Sequence, residues 1–173
     1  MCKALKLICE FITEEEESNI INNLNTFPKN MSQKGRNSIQ RFGSDVPYRG
    51  NMISKEIPEY LKILCQKLFD SKLVEELPDS ITINEYREGQ GINPHIDSQT
   101  SGKTITVLSL MSDATMRLER QKEKRQFSIL VPRRCLTQMT GEIRNNWTHS
   151  IDPVLSDRYS VVFRKGTNRN KSK

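Results

Sequence analysis

The sequence predicts a mainly β (α+β) fold: a double-stranded β-helix (jelly roll) with N-terminal helices packed on the outside. Three observations lead there. Two segments before residue 70 space their apolar residues for helices. From Ile81 onward the pattern changes to short alternating or apolar runs separated by turns. The last run, Arg158 to Arg164, is two-faced, with Tyr159, Val161 and Phe163 on one side and Arg158, Ser160, Val162 and Arg164 on the other. Many short strands of this kind suit a roll that brings distant strands around one interior cavity.

Taken in order, Leu5 to Phe11 is apolar enough for a first strand. Thr13 and Glu16 have capping-box spacing, and the neighbouring glutamates suit the positive end of a helix. The glutamate run reads as a solvated first turn, and Ile20, Ile21 and Leu24 as the buried face. Pro58 stands where a second helix can begin. Leu61, Leu64, Cys65, Leu68 and Phe69 then form an apolar stripe for a sheet. Ile81 and Ile83 alternate with polar residues, Glu88 to Gly91 is a turn, and Ile105 to Leu110 is an apolar strand. Met116 and Leu118, then Phe127, Ile129 and Val131, read as a hairpin with a charged tip. Leu136 to Met139 is one more strand, closed by Gly141. The expected organisation is a single domain over residues 1–166 and a basic, disordered tail over 167–173.

The 173 residues suit one domain, and the chain is expected to be a monomer. A formal net charge of +6 fits a polyanionic partner such as nucleic acid, or a generally basic surface. Cys2, Cys9, Cys65 and Cys135 have neither metal-site nor disulfide-framework spacing, and read as reduced cysteines of an intracellular protein, cytoplasmic or nuclear. No apolar run is long enough to span a bilayer, so no membrane association is expected.

The chain has two histidines. His95 precedes Asp97 by two residues, the spacing that puts both on one face of a strand. With His149 from a neighbouring strand they would make two histidines and one carboxylate with open positions, a set suited to non-haem Fe(II). Alone, His-x-Asp is more often a surface turn. Arg158 and Arg164 likewise either face solvent or, inside a barrel, require an anionic partner such as a small dicarboxylate.

His-x-Asp, a later His and then Arg-x5-Arg, in that order, resemble the AlkB family of Fe(II)/2-oxoglutarate dioxygenases. Leu130-Val131-Pro132-Arg133-Arg134, Met139-Thr140-Gly141-Glu142 and Trp147-Thr148-His149 are similar to the AlkB homologues that hydroxylate the wobble uridine of tRNA. The resemblance covers about Ser38 to Gly166. It implies Fe(II) on His95, Asp97 and His149. It also implies 2-oxoglutarate as cosubstrate, held by Asn84, Tyr86, Arg158, Ser160 and Arg164. Arg158 would take the distal carboxylate, and Arg164 would lie near the metal end.

The resemblance further implies a nucleic-acid substrate, RNA above DNA, with the base unstacked into the pocket. The basic stretch Lys29 to Gly50, with Arg36, Arg41, Tyr48 and Arg49, corresponds to a substrate-recognition lid. AlkB demethylases carry a carboxylate two positions after the metal Asp. Gln99 occupies that position here, which favours hydroxylation of a uridine side chain over alkyl-base repair. The wobble-uridine enzymes often carry a methyltransferase domain, so a separate methyltransferase is an expected partner. Competing readings are the same chemistry on a protein or small molecule, a non-catalytic nucleic-acid-binding barrel, and a cupin-like protein with another metal.

Overall fold

The computed structural model describes residues 4–26, 38–44 and 55–166. Arg36, Tyr48 and Arg49 of the expected lid, and the tail 167–173, lie outside them. Among the described residues, ten strands and three helices run in the order β1 (Leu5–Ile8), α1 (Glu14–Asn25), β2 (Ser38–Gly43), α2 (Glu59–Asp70), β3 (Ser80–Tyr86), β4 (Ile92–His95), β5 (Ile105–Leu110), β6 (Ala114–Arg120), β7 (Arg125–Val131), β8 (Leu136–Met139), α3 (Gly141–Asn146), β9 (Thr148–Ile151) and β10 (Arg158–Arg164). They form a six-stranded sheet, β1-β8-β5-β10-β3-β2, and a four-stranded sheet, β4-β9-β6-β7. Every pairing is antiparallel.

The alternation of β3 and β10 sets the layers. Ile81, Ile83, Tyr159, Val161 and Phe163 face away from the smaller sheet and pack with Ile20 and Leu24 of α1 and with Leu61, Leu64, Cys65 and Leu68 of α2. Both helices therefore cover the outer face of the larger sheet. The capping box is present: Thr13 Oγ1 accepts from the Glu16 amide, and Glu16 Oε2 accepts from the Thr13 amide. Burying each leucine of the α2 stripe contributes about 1.5–3 kcal/mol. A second cluster, with Val107, Met116, Leu118, Ile151 and Val162, fills the space between the sheets.

Four expectations change. The first strand ends at Ile8, and Phe11 lies beyond it. Phe69 falls off the buried stripe and is 42% exposed. The glutamate run is not all solvated: Glu17 is fully buried and accepts from the Met111 amide and Arg133 Nε, partners that reach it from distant turns. Part of the expected lid is the edge strand β2, which pairs with β3.

Candidate active site

The larger sheet builds one wall of a cavity of about 370 Å³. The β3–β10 register sets Tyr86 opposite Arg158 and Asn84 opposite Ser160. These four residues, with Thr82 and Arg164, line the cavity. Arg158 is 1% exposed. Its Nη2 donates to Ser109 Oγ at 2.9 Å, and its guanidinium lies 5.2 Å from the centre of the Tyr86 ring. Arg158 Nε and Nη1 are buried without a hydrogen-bond partner, as is Arg164 Nε. Burial pulls the Arg158 pKa below the ordinary range, and Tyr86 opposes the shift. Burial also raises the Tyr86 phenol, opposed by Arg158 and Ser160. A buried guanidinium with open donors and no carboxylate beside it is costly unless an anion completes the site.

The smaller sheet supplies the other wall. His95 on β4 and His149 on β9 are direct cross-strand partners, with ring centres 4.3 Å apart. His95 Nδ1 donates to the Asn93 carbonyl at 2.9 Å. A carbonyl only accepts, so the proton sits on Nδ1 and Nε2 is left as the ligand atom. Asp97 Oδ2 lies 3.9 Å from His149 Nε2, and one ligand atom from each residue fits within 4.8 Å of the others. Burial, aided by His95, pushes the His149 pKa down to about 4. Burial would raise the Asp97 carboxyl, but Arg164 and the two histidines outweigh it and hold the pKa below its usual value. A neutral imidazole and an ionised carboxylate are the forms that bind metal.

Asp97 does not share a strand with His95, because β4 stops at His95. Two arginines hold the carboxylate and its loop. Arg164 donates through Nη2 to Asp97 Oδ1 at 2.9 Å and through Nη1 to Thr82 Oγ1 at 2.7 Å. Arg144 of α3, 2% exposed, donates to the carbonyls of Asp97 at 3.0 Å, Gly102 at 3.1 Å and Ser98. Gly102 has φ +82, and a Cβ there would collide with the Lys165 carbonyl oxygen, so the loop closes only on glycine. Sequence reasoning missed Arg144. An arginine in a six-residue helix carries no periodic signal, and its partners are backbone atoms more than 40 residues away.

Ile39 and Arg41 of β2, Ile96, Ser98 and Thr100 also line the cavity. Gln99 opens a 3-10 turn, is exposed, and is not among the lining residues.

The profile of the 2OG-Fe(II) oxygenase superfamily matches residues 16–170. The chain belongs to that superfamily. Among relatives of this 2OG-Fe(II) oxygenase, a mouse protein named tRNA (carboxymethyluridine(34)-5-O)-methyltransferase ALKBH8 is 29% identical over 164 residues, 88% of this chain and 25% of the relative. A Caenorhabditis elegans protein named DNA N6-methyl adenine demethylase is 28% identical over 157 residues, covering 85% of this chain and 54% of its own length. The chain thus spans about a quarter to a half of these two relatives. The structure of OsALKBH1 superposes with a TM-score of 0.71 at 12% identity, over 95% of this chain and 98% of that one, which shows the shared jelly-roll fold. The oxygenase family implies Fe(II) and 2-oxoglutarate, and the residues fit both. Two imidazoles and a carboxylate are a facial set for Fe(II), and the open guanidinium donors suit a dicarboxylate. Among the described residues, no helix is long and apolar enough to cross a membrane.

Proposed function

We propose that this oxygenase oxidises a modified or alkylated nucleobase in nucleic acid, RNA above DNA. The leading reaction is hydroxylation of a uridine side chain in tRNA, and oxidative demethylation is the other outcome open to the same site. The carrying observation is the charge of the cavity. Among the described lining residues the only carboxylate is Asp97, which belongs to the metal set and is paired with Arg164. A cationic alkylated base would find no free counter-charge there. A neutral uracil ring with its carbonyl oxygens would meet hydroxyl groups of Ser98 and Thr100. The names of the mouse and nematode relatives, one for a tRNA uridine and one for a DNA base, support the substrate class.

In this reading His95, Asp97 and His149 hold Fe(II). Arg158, with Tyr86, Asn84 and Ser160, binds the distal carboxylate of 2-oxoglutarate, and Arg164 stands near its metal end. When bound, these two groups would supply the oxidising chemistry, in which dioxygen gives one oxygen atom to the 2-oxo acid, converting it to succinate and CO2, and the other to a C–H bond. The protein orients and shields. Arg144 and Arg164 fix the carboxylate of Asp97, and the apolar residues between the sheets limit water at the site. A separate intracellular methyltransferase acting on the same RNA would prepare the substrate.

Mass spectrometry of nucleosides after incubating RNA and DNA with the protein, Fe(II), ascorbate and 2-oxoglutarate tests the reading. A hydroxylated modified uridine in the RNA digest is expected. Turnover of 2-oxoglutarate with no altered nucleoside from either polymer would defeat it in favour of a protein or small-molecule substrate.

A further inference from the structure

Outside the cavity, two sulfur atoms meet across the first ladder. β1 pairs with β8 from Leu5 opposite Met139 to Ile8 opposite Leu136. One step further, the same register sets Cys9 against Cys135, and their Sγ atoms lie 3.5 Å apart. Cys9 is exposed and Cys135 is buried. The turns that carry them are fastened together. The Phe11 amide donates to the Arg134 carbonyl at 3.1 Å, and the Arg134 guanidinium bonds Glu10 and Glu14. Among the described residues, the only group of three or more potential metal ligands is at the iron site, so the sulfur pair is no metal centre there.

The turn before β8 also grips the cosubstrate wall. The Arg134 amide donates to the Ser109 carbonyl at 2.8 Å, and the Ser109 amide donates to the Cys135 carbonyl at 3.0 Å. Ser109 Oγ in turn accepts from Arg158. We propose that Cys9 and Cys135 are a modification site that forms a reversible disulfide under oxidising thiol conditions, and that Arg158 feels this bond through Ser109. A disulfide draws the sulfurs to about 2.05 Å, so the turn bracketing Ser109 must adjust.

The oxidant is a small disulfide such as oxidised glutathione. The exposed Cys9, as thiolate, attacks one of its sulfurs, and one glutathione thiolate leaves. Cys135 then gives up its proton to water and attacks Cys9 Sγ. The mixed disulfide breaks and the second glutathione departs as a thiol. Two protein thiols are oxidised and one glutathione disulfide is reduced to two thiols. Burial pushes the Cys135 thiol up, which makes this second step the slow one.

The test treats the whole protein with oxidised glutathione, maps its peptides, and measures unfolding and 2-oxoglutarate binding with Mn(II) in place of iron. Expected are loss of two thiols, a peptide linking Cys9 to Cys135, and reversal by dithiothreitol. The unfolding midpoint should rise by roughly 10 °C. The Kd for 2-oxoglutarate should change about twofold or more between the reduced and oxidised forms. Cys135→Ser should stop at a glutathione adduct on Cys9. A persistent Cys9 adduct in the unsubstituted protein, or a cross-link through Cys2 instead, overturns the site. A Cys9–Cys135 link that leaves the Kd unchanged overturns its connection to Arg158.

Discussion

On the larger-sheet wall of the cavity, Tyr86 and Asn84 stand opposite Arg158 and Ser160, rung by rung, in the middle of a six-stranded sheet. On the facing wall His95 and His149 share a rung, but Asp97 hangs from a loop beyond the end of β4. Backbone ladders aim the first group. Buried Arg144 holds the loop of the second, and half-buried Arg164 holds its carboxylate. The Arg158 wall is thus preformed by strand register, whereas the wall that carries Asp97 depends on side chains that satisfy loop carbonyls. Damage to one wall should therefore have a different signature from damage to the other.

The largest expected effect is at the loop-borne ligand. Asp97→Ala should abolish Fe(II)-dependent conversion of 2-oxoglutarate to succinate while leaving the far-ultraviolet circular dichroism unchanged. Normal succinate production by this variant would remove Asp97 from the metal set. Next comes the loop's support. Arg144→Met takes a donor from three carbonyls and touches no ligand atom. Metal affinity measured by titration should fall about 10–100-fold, as for other residues that orient metal ligands. Unaltered affinity would mean that the loop holds its shape without Arg144.

On the other wall, Arg158→Lys keeps the charge and loses the planar fork. The apparent affinity for 2-oxoglutarate should fall about tenfold with metal affinity little changed. Equal loss of both would show that the walls are not independent. The smallest effect lies in the basic stretch Lys29 to Gly50. Changing Arg36 and Arg41 to Ala should flatten the salt dependence of RNA binding by roughly one unit for each phosphate that an arginine no longer neutralises. Both walls should keep their affinities. RNA binding by the unsubstituted protein that ignores salt would dismiss the phosphate role.

The parts legible in the sequence are those governed by short periods. The two faces of Arg158 to Arg164, the α2 stripe from Leu61 to Leu68 and the Thr13–Glu16 cap all follow from spacing within one element, and each is found in the fold. His95, Asp97 and His149 could be nominated as a set because the chain offers so few alternatives. Glu17 could not be read correctly, since its burial depends on Met111 and Arg133, 94 and 116 residues away. Arg144 was invisible for the same reason. β2 was hidden by its composition: the basic residues that suggested a loop also fit a strand at the end of the larger sheet, paired with β3.

The pairing of β1 with β8 also bears on how the chain is made. A stretch of 126 residues separates Cys9 from Cys135 at the end of that ladder. At ribosomal speeds of about 5–20 residues per second, β1 leaves the tunnel roughly 6–25 s before its partner exists. During that interval α1 has neither the larger sheet nor Arg133 to cover its apolar face and Glu17. β1 is thus synthesised well before it can find its place, and the nascent domain depends longest on protection at that strand and α1.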